Sequence, residues 1–102
     1  MEGNAQIRAE ILARYAADAA TEVSGVRALV ESTLPRHRGV RIGGEEGAFT
    51  VVVHLAVDWD ASIPEVGRNV QRRVSDYLQT MADARPARVD VVVDEVGLPG
   101  LA

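Results

Sequence analysis

The chain has 102 residues, of which 47% are hydrophobic and 25% are charged, and its formal net charge at pH 7 is −4. This length and composition are typical of a folded globular chain with one hydrophobic core, which excludes a disordered protein and a second domain. The chain contains no cysteine, which excludes disulfide and thiolate chemistry, and its net negative charge argues against a broad basic surface for nucleic acid or anionic lipid.

Residues 6–23 are predicted to form the first helix. Apolar side chains recur along one side of this segment at helical spacing: Ile7, Ile11, Leu12, Tyr15, Ala16, Ala19 and Val23. Asn4 is the predicted N-cap, and Gly25 the predicted stop. For residues 26–39 the sequence leaves two alternatives open, a short helix before Pro35 or an irregular edge.

A β-hairpin is predicted next. Residues 40–42 begin a strand, and GGEEG at 43–47 is a glycine-bounded turn into an antiparallel partner. In that partner, residues 49–58, successive side chains point to opposite faces. One face is predicted to be core and carries Phe49, Val51, Val53, Leu55 and Val57. The other face is mixed and carries Thr50, Val52, His54, Ala56 and Asp58.

A second helix and a last strand complete the predicted elements. Ser62 and Glu65 form the S-x-x-E pattern of a capping box, so the helix is predicted to start at Ser62. The apolar side of this helix carries Val66, Val70, Val74, Tyr77, Leu78 and Met81. Pro86 is predicted to end it. In the strand that follows, Val89, Val91 and Val93 form the apolar face.

The element order predicts the architecture. A strand, a crossover helix and a second strand form a right-handed parallel unit, so the last two strands should be parallel and the first hairpin antiparallel. We therefore expect an α+β fold in one domain over residues 1–97, ordered α-β-β-α-β, with two helices packed on one face of a three-stranded mixed sheet. Residues 98–102 are predicted to be a flexible tail.

The sheet face opposite the helices is the candidate interaction surface. Four residues of the two parallel strands are predicted to lie on it: Val52, His54, Asp90 and Val92. An exposed face that contains valines favours a protein partner.

The residues that could carry chemistry favour a protein that is not an enzyme. His37 and His54 are the two histidines, and their spacing fits no metal-ligand pattern. His54 is predicted to lie near Asp58 and Asp90, but a flat sheet face supplies neither a pocket nor an oriented carboxylate. We interpret it as a solvated or interface histidine, and expect no metal, no cofactor and no small-molecule substrate.

Two further features have alternative interpretations. Trp59, the one tryptophan, either covers the core between strand and helix or presents an aromatic anchor to a partner. The segment PRHRGVR at 35–41 is a basic loop with Arg36, Arg38 and Arg41. We interpret this loop as a solvated linker, with contact to phosphate or to a membrane surface as the alternative.

The element order also resembles that of RNA-binding KH-type domains, and a KH-like RNA-binding module is the alternative function. The glycine loop of those domains joins two helices and grips the nucleic-acid backbone. Here no GxxG lies between the predicted helices, and GGEE lies in an acidic hairpin that would repel phosphate. We therefore do not expect nucleic acid as the partner.

Four segments, in this order, resemble the alkaline shock protein family, the small envelope stress response proteins of Gram-positive bacteria. They are TEVSGV at 21–26, VVVHLAVDW at 51–59, IPEVGRNVQRRV at 63–74 and ARVDVVVDEV at 87–96. The resemblance implies a non-enzymatic cytoplasmic protein that is abundant under envelope stress and self-associates into a homo-oligomer. It also implies that a separate, membrane-anchored protein partner holds this protein near the membrane.

The chain departs from the family pattern at three places. MEGNA stands where a short strand usually precedes the first helix, Trp59-Asp60 replaces a common tyrosine-glycine, and DARPAR at 83–88 replaces a glycine. No window reaches the roughly 18 apolar residues that a membrane span needs, and MEGNAQIRAE lacks the pattern of a secretory signal. We therefore expect a cytoplasmic protein that is peripheral at the membrane through its partner.

Overall fold

The computed structural model of the protein describes residues 2–33, 36–45 and 47–98, with only the backbone described for residues 2–7, 36 and 37. The elements in chain order are α1 (Glu2–Thr21), β1 (Val26–Leu29), β2 (Ser32–Thr33), β3 (Arg36–His37), β4 (Val40–Glu45), β5 (Ala48–Val57), α2 (Ile63–Ala82) and β6 (Arg88–Val96). The predicted α+β class and both helices are confirmed, but the predicted number of strands is wrong.

The main sheet has four strands instead of three, and β5 lies at its centre. β6 pairs with β5 in parallel, while β1 and β4 both pair with it antiparallel. The N–H of His54 donates to the Gly39 carbonyl at 2.7 Å, and its C=O accepts from Val30 N–H at 2.9 Å. Both groups of one residue point to the same edge of a strand, so β1 and β4 lie end to end along that edge.

The described residues of this segment, 26–33 and 36–39, therefore do not form a helix, and the first four of them form part of an edge of the sheet. β1 pairs with the last three residues of β5, and β4 pairs with its first six. Between them, β2 and β3 form a separate two-stranded antiparallel sheet. The helix alternative for this segment is wrong because β5 needs hydrogen-bonding partners along its whole edge, and β1 supplies those of the last residues.

The core lies between the two helices and one face of the sheet. Strand β5 contributes the predicted alternating residues, and α2 contributes four of the six residues of its predicted stripe: Phe49, Val51, Val53, Leu55, Val57, Val66, Val70, Val74 and Leu78 are buried. Tyr77 is half-buried, and Met81 is exposed. On α1 the buried side chains are Leu12, Ala16, Ala19 and Ala20, while Ile11 is 46% exposed. The helix is thus rotated from the predicted stripe, with Tyr15 packed edge-to-face on Tyr77 of α2, ring centroids 5.9 Å apart.

The ends of the helices differ in how well they were predicted. α1 begins at Glu2, so Asn4 lies inside the helix and is not its N-cap. Ser62 is the N-cap of α2, with its Oγ accepting the N–H of Glu65 at 3.4 Å. α2 ends at Ala82, because Asp83 adopts the left-handed conformation and its N–H bonds back to the last turn. Pro86 therefore does not end the helix.

Two further features complete the fold. β4 extends into the predicted glycine turn, 43–47, as far as Glu45, and Gly44 has a φ of +81°. Of the predicted tail, only Leu98 belongs to the part of the chain that the structure describes. Within that part, neither helix is both long and apolar enough to cross a membrane.

Candidate interaction surface

The face of the sheet that points away from the helices is called here the open sheet face. Alternation along β4, along β5 and along β6 up to the bulge at Asp94 places on it the residues between the core positions: Arg41, Thr50, Val52, His54, Ala56, Arg88, Asp90, Val92 and Asp94. Of these, Ala56 is buried. The side chains at the core positions of the same strands are buried or half-buried. The two faces are therefore chemically distinct, as the sequence predicted.

The pairing register brings the four predicted interaction residues together. Val52 is opposite Arg41 on one side and Asp90 on the other, and His54 is opposite Val92 in the next row. Val52 is half-buried, and Val92 is 38% exposed. Side chains in neighbouring rows of a sheet lie within reach of one another, so the two valines form one small apolar area.

His54 has a carboxylate partner that the sequence analysis did not identify. Its Nδ1 lies 2.8 Å from Oδ2 of Asp94, with side-chain exposures of 18% and 35%. An ionised carboxylate can only accept a hydrogen bond, so Nδ1 carries the proton in this pair. The prediction that named Asp58 and Asp90 as neighbours of His54 missed this contact.

A β-bulge in β6 explains why His54 contacts Asp94 and not the predicted Asp58 or Asp90. β6 advances from Val93 to Glu95 while β5 advances from Leu55 to Ala56, so Asp94 is an extra residue in the ladder. A bulge bends its strand and re-aims a side chain. The residue pattern does carry a signal at this position, which the sequence analysis did not use: the alternation of β6 breaks at the adjacent acids Asp94 and Glu95.

Two other charges of the open sheet face pair with each other. Arg88 Nε donates to Oδ2 of Asp90 at 3.1 Å, with side-chain exposures of 70% and 39%. An exposed pair of this kind contributes about 0–1 kcal/mol to stability, so its main effect is to neutralise charge beside the valines. The face is suited to binding, because its charges are balanced around an apolar centre.

The three arginines of the predicted basic loop occupy different elements. Arg36 lies in β3, Arg38 is exposed between β3 and β4, and Arg41 is exposed in β4 on the open sheet face. Arg38 lines a concavity beside α1 together with Arg14 and Glu10. The structure thus does not present these arginines as one loop.

Two predicted features outside the sheet face can also be placed. Trp59 is exposed, so the interpretation that it covers the core is wrong, and the aromatic-anchor alternative stays open. Within the described ranges, no group of three or more His, Asp and Glu side chains is arranged to hold a metal ion. The sequence analysis did not single out Val96 and Leu98, which are also exposed.

Comparison with known proteins gives one family and one fold. Residues 1–98 match the alkaline shock protein 23 family, which is described by a cell envelope-related function. None of the curated proteins matches the chain.

The solved structures that are similar include several forms of the C-terminal domain of MamM. A histidine-to-alanine variant has a TM-score of 0.57 at 16% identity, over 87% of this chain and 98% of that one. A manganese form has a TM-score of 0.55 at 16% identity, over 84% and 96% of the two chains. A valine-to-arginine variant of MamM has a TM-score of 0.56 at 15% identity, over 91% and 90%. At these identities the likeness concerns the fold alone.

Proposed function

This chain belongs to the alkaline shock protein family, whose function relates to the cell envelope, and from that premise we propose that it is a non-enzymatic envelope stress response protein. It acts as an interaction module, or scaffold, in the cytoplasm. It self-associates into a homo-oligomer through the open sheet face, and it docks near the membrane through a membrane-anchored protein partner.

The observation that carries this proposal is the apolar centre of the open sheet face. Val52 and Val92 lie in adjacent rows on neighbouring strands, on the side of the sheet away from both helices. Burial of apolar surface contributes about 25 cal/mol per Å², so covering these side chains with a second chain favours association. Aliphatic residues surrounded by a polar rim are the usual anatomy of an interface.

The charged rim supports specificity more than affinity. Arg41, Arg88, Asp90 and Asp94 include both signs, and a second copy of the face can match its own charges in a two-fold arrangement. Electrostatic complementarity of this kind fixes the orientation of the partners. The same mixture of signs gives the face no excess of positive charge for nucleic acid.

Docking through a protein partner fits the charge of the chain. The net charge of −4 opposes direct binding to the anionic inner surface of a membrane. Neither helix within the described ranges is of a length and hydropathy that could span a bilayer. A membrane-anchored protein would supply the attachment instead.

A double variant, Val52→Asp with Val92→Asp, tests the proposed self-association. Because it places two carboxylates in the apolar centre of the interface, we expect the oligomer to dissociate to monomer in sedimentation velocity at micromolar concentration. The circular dichroism spectrum should be unchanged, since neither side chain belongs to the core. The matched control is Ile63→Asp with Met81→Asp, two exposed apolar residues of α2, which should leave assembly intact. A double variant at 52 and 92 that assembles like the parent would rule out the open sheet face.

The KH-like alternative has less support. In the described part of the chain, strands separate α1 from α2, so no glycine loop joins two helices there. Arg36 and Arg41 lie on different strands, and Arg38 lies between those strands. RNA binding that weakens steeply with salt, by roughly one log–log unit per phosphate contact, would revive this alternative.

A further inference from the structure

A second apolar area lies at one end of the sheet, beyond the carboxyl ends of β5 and β6. Three side chains there are exposed to an unusual degree for their type: Trp59 at 57%, Val96 at 47% and Leu98 at 63%. We call them the sheet-end patch. Trp59 and Leu98 follow the ends of β5 and β6, and Val96 is the last residue of β6, so the patch is distinct from the open sheet face.

Backbone pairing holds the members of the sheet-end patch near one another. Val57 is opposite Val96, and the Gly97 N–H donates to the Val57 carbonyl at 2.8 Å. Trp59 follows Val57 by two residues, and Leu98 follows Gly97 by one. The Cα atoms of Trp59 and Leu98 are therefore at most about 18 Å apart, the length of a little over three turns of helix.

The backbone under the patch is fixed by contacts from both sides. The Asp58 N–H donates to the Gly25 carbonyl at 2.9 Å, and the Ala61 N–H donates to the Asp58 carbonyl at 3.0 Å. Arg27 reaches across from β1, with Nη1 3.9 Å from Oδ1 of Asp58 and its guanidinium lying against Gly97. A patch on a fixed backbone binds with a small cost in ordering.

Acidic residues adjoin the patch along the chain. Four carboxylates lie within two residues of Trp59 or Val96 in sequence: Asp58, Asp60, Asp94 and Glu95. In the ladder, Glu95 is opposite Ala56 and Val96 is opposite Val57. Asp58 is paired with Arg27, and Asp94 is paired with His54. Asp60 and Glu95 are exposed, and none of the ion pairs found in the described part of the chain includes them.

We propose that the sheet-end patch docks a cationic, amphipathic helical segment of a partner protein. The apolar side of the segment covers Trp59, Val96 and Leu98, and its Lys or Arg side chains face Asp60 and Glu95. Exposed aromatic residues are common binding hot spots, and complementary charges on the two partners around them fix the orientation of the complex. This inference rests on the partner-docking half of the proposed function and not on self-association.

The acidic rim argues against the other occupants of such a surface. An anionic membrane would be repelled by Asp60 and Glu95. In a two-fold contact with a second copy, the same patch faces itself, so each acidic rim would meet another acidic rim. A cationic segment is the occupant whose charge complements the surface.

Trp59 reports on this site directly, because it is the one tryptophan in the chain. The probe is a peptide of about 14 residues made of Leu and Lys in an amphipathic helical pattern, a length of about 21 Å as a helix. We expect it to shift Trp59 emission to shorter wavelength in a saturable way, and the affinity to fall as salt rises. The matched peptide with Glu in place of every Lys should give no shift.

Variants locate the site. Asp60→Asn combined with Glu95→Gln should weaken binding of the Lys peptide by about two- to ten-fold, and Leu98→Ser should weaken it while Trp59 still reports. Met81→Ser, at an exposed apolar residue near the other end of α2, is the matched control and should bind like the parent chain.

Other outcomes would overturn the proposal. An equal shift with the Lys and Glu peptides would indicate unspecific apolar contact, and a shift with anionic vesicles but not with peptide would indicate a membrane. A shift that depends on protein concentration alone would indicate a second copy. The variant Val52→Asp with Val92→Asp separates docking at the sheet-end patch from self-association through the open sheet face. It should bind the Lys peptide like the parent chain, whether or not the two substitutions change assembly.

Discussion

At the residue scale, Gly25 shows how one position can join distant parts of the chain. Its φ is +94°, and a Cβ there would lie 2.7 Å from Cγ2 of Val66 and 3.3 Å from Cβ of Ala61. Its carbonyl also accepts the N–H of Asp58. The turn after α1 therefore packs directly on the start of α2, and only glycine satisfies both the backbone conformation and the space.

Gly25→Ala should destabilise the protein by about 2–4 kcal/mol, the sum of a left-handed alanine and an overpacked contact. Urea unfolding followed by circular dichroism measures the change. Gly67→Ala is the matched control, since nothing lies within 4 Å of its Cβ position in the interior of α2. That variant should be more stable than the parent by about 0.5–1 kcal/mol. Equal effects of the two variants would contradict the role assigned to Gly25.

The contact between His54 and Asp94 is a second feature at the residue scale, and the sequence analysis did not predict it. The alternation of β6 places several acids on the open sheet face, and the bulge selects which of them meets the imidazole. A hydrogen bond to a charged group fixes the ring on a surface that we propose as an interface.

At the element scale, α2 is the helix whose sequence signals agree best with its structure. Its cap matches the prediction, and so does its buried stripe from Val66 to Leu78, whereas Met81 at the end of the predicted stripe is exposed. The stripe is regular because every fourth or third residue is apolar, which holds one face of the helix on the sheet. Its end was mispredicted because Asp83, which is not a glycine, takes the left-handed C-cap position.

Ser62→Ala should lower the free energy of unfolding by about 1 kcal/mol, because the N–H of Glu65 loses its hydrogen-bond acceptor. Ser62→Asp is the matched control and should retain most of the stability, since its carboxylate can accept the same bond and is favourable at a helix N-terminus. Thermal unfolding of the three chains provides the comparison. If alanine and aspartate behave alike, the cap does not contribute as the geometry implies.

At the scale of the whole molecule, β5 is the element on which the fold depends. It pairs along one edge with β6 and along the other with β1 and β4, and its core face lies under both helices. Exchange of its amide hydrogens requires that the sheet open on both sides. In small single domains such protection usually reflects global unfolding.

Hydrogen exchange measured by mass spectrometry should therefore show the slowest amides in β5 and much faster exchange in β2 and β3. Among the described residues, the two short strands form a sheet of their own with two residue pairs. Their amides should open without global unfolding, so their protection should be at least ten-fold lower, which corresponds to about 1.4 kcal/mol. Similar protection in β5 and in the β2–β3 hairpin would mean that the hairpin belongs to the cooperative unit.

The sequence by itself determined the features that depend on residues close together in the chain. The α+β class, the two amphipathic helices, the cap at Ser62 and the two faces of β5 follow from local periodicity, because helix and strand periods differ. The residues of the open sheet face that we propose as an interface, among them Val52 and Val92, could be named for the same reason. The family was also recognisable from four short segments.

Only the tertiary structure decided the features that depend on which distant groups meet. The division of one sheet edge between β1 and β4, the rotation of α1 and the contact between His54 and Asp94 depend on the edge of β5 and on the bulge in β6. The sheet-end patch exists because β5 and β6 end side by side. The local residue pattern does not discriminate between these conformations. Backbone hydrogen bonding and close packing between distant parts of the chain do, because they require buried polar groups to be paired and the core to be filled.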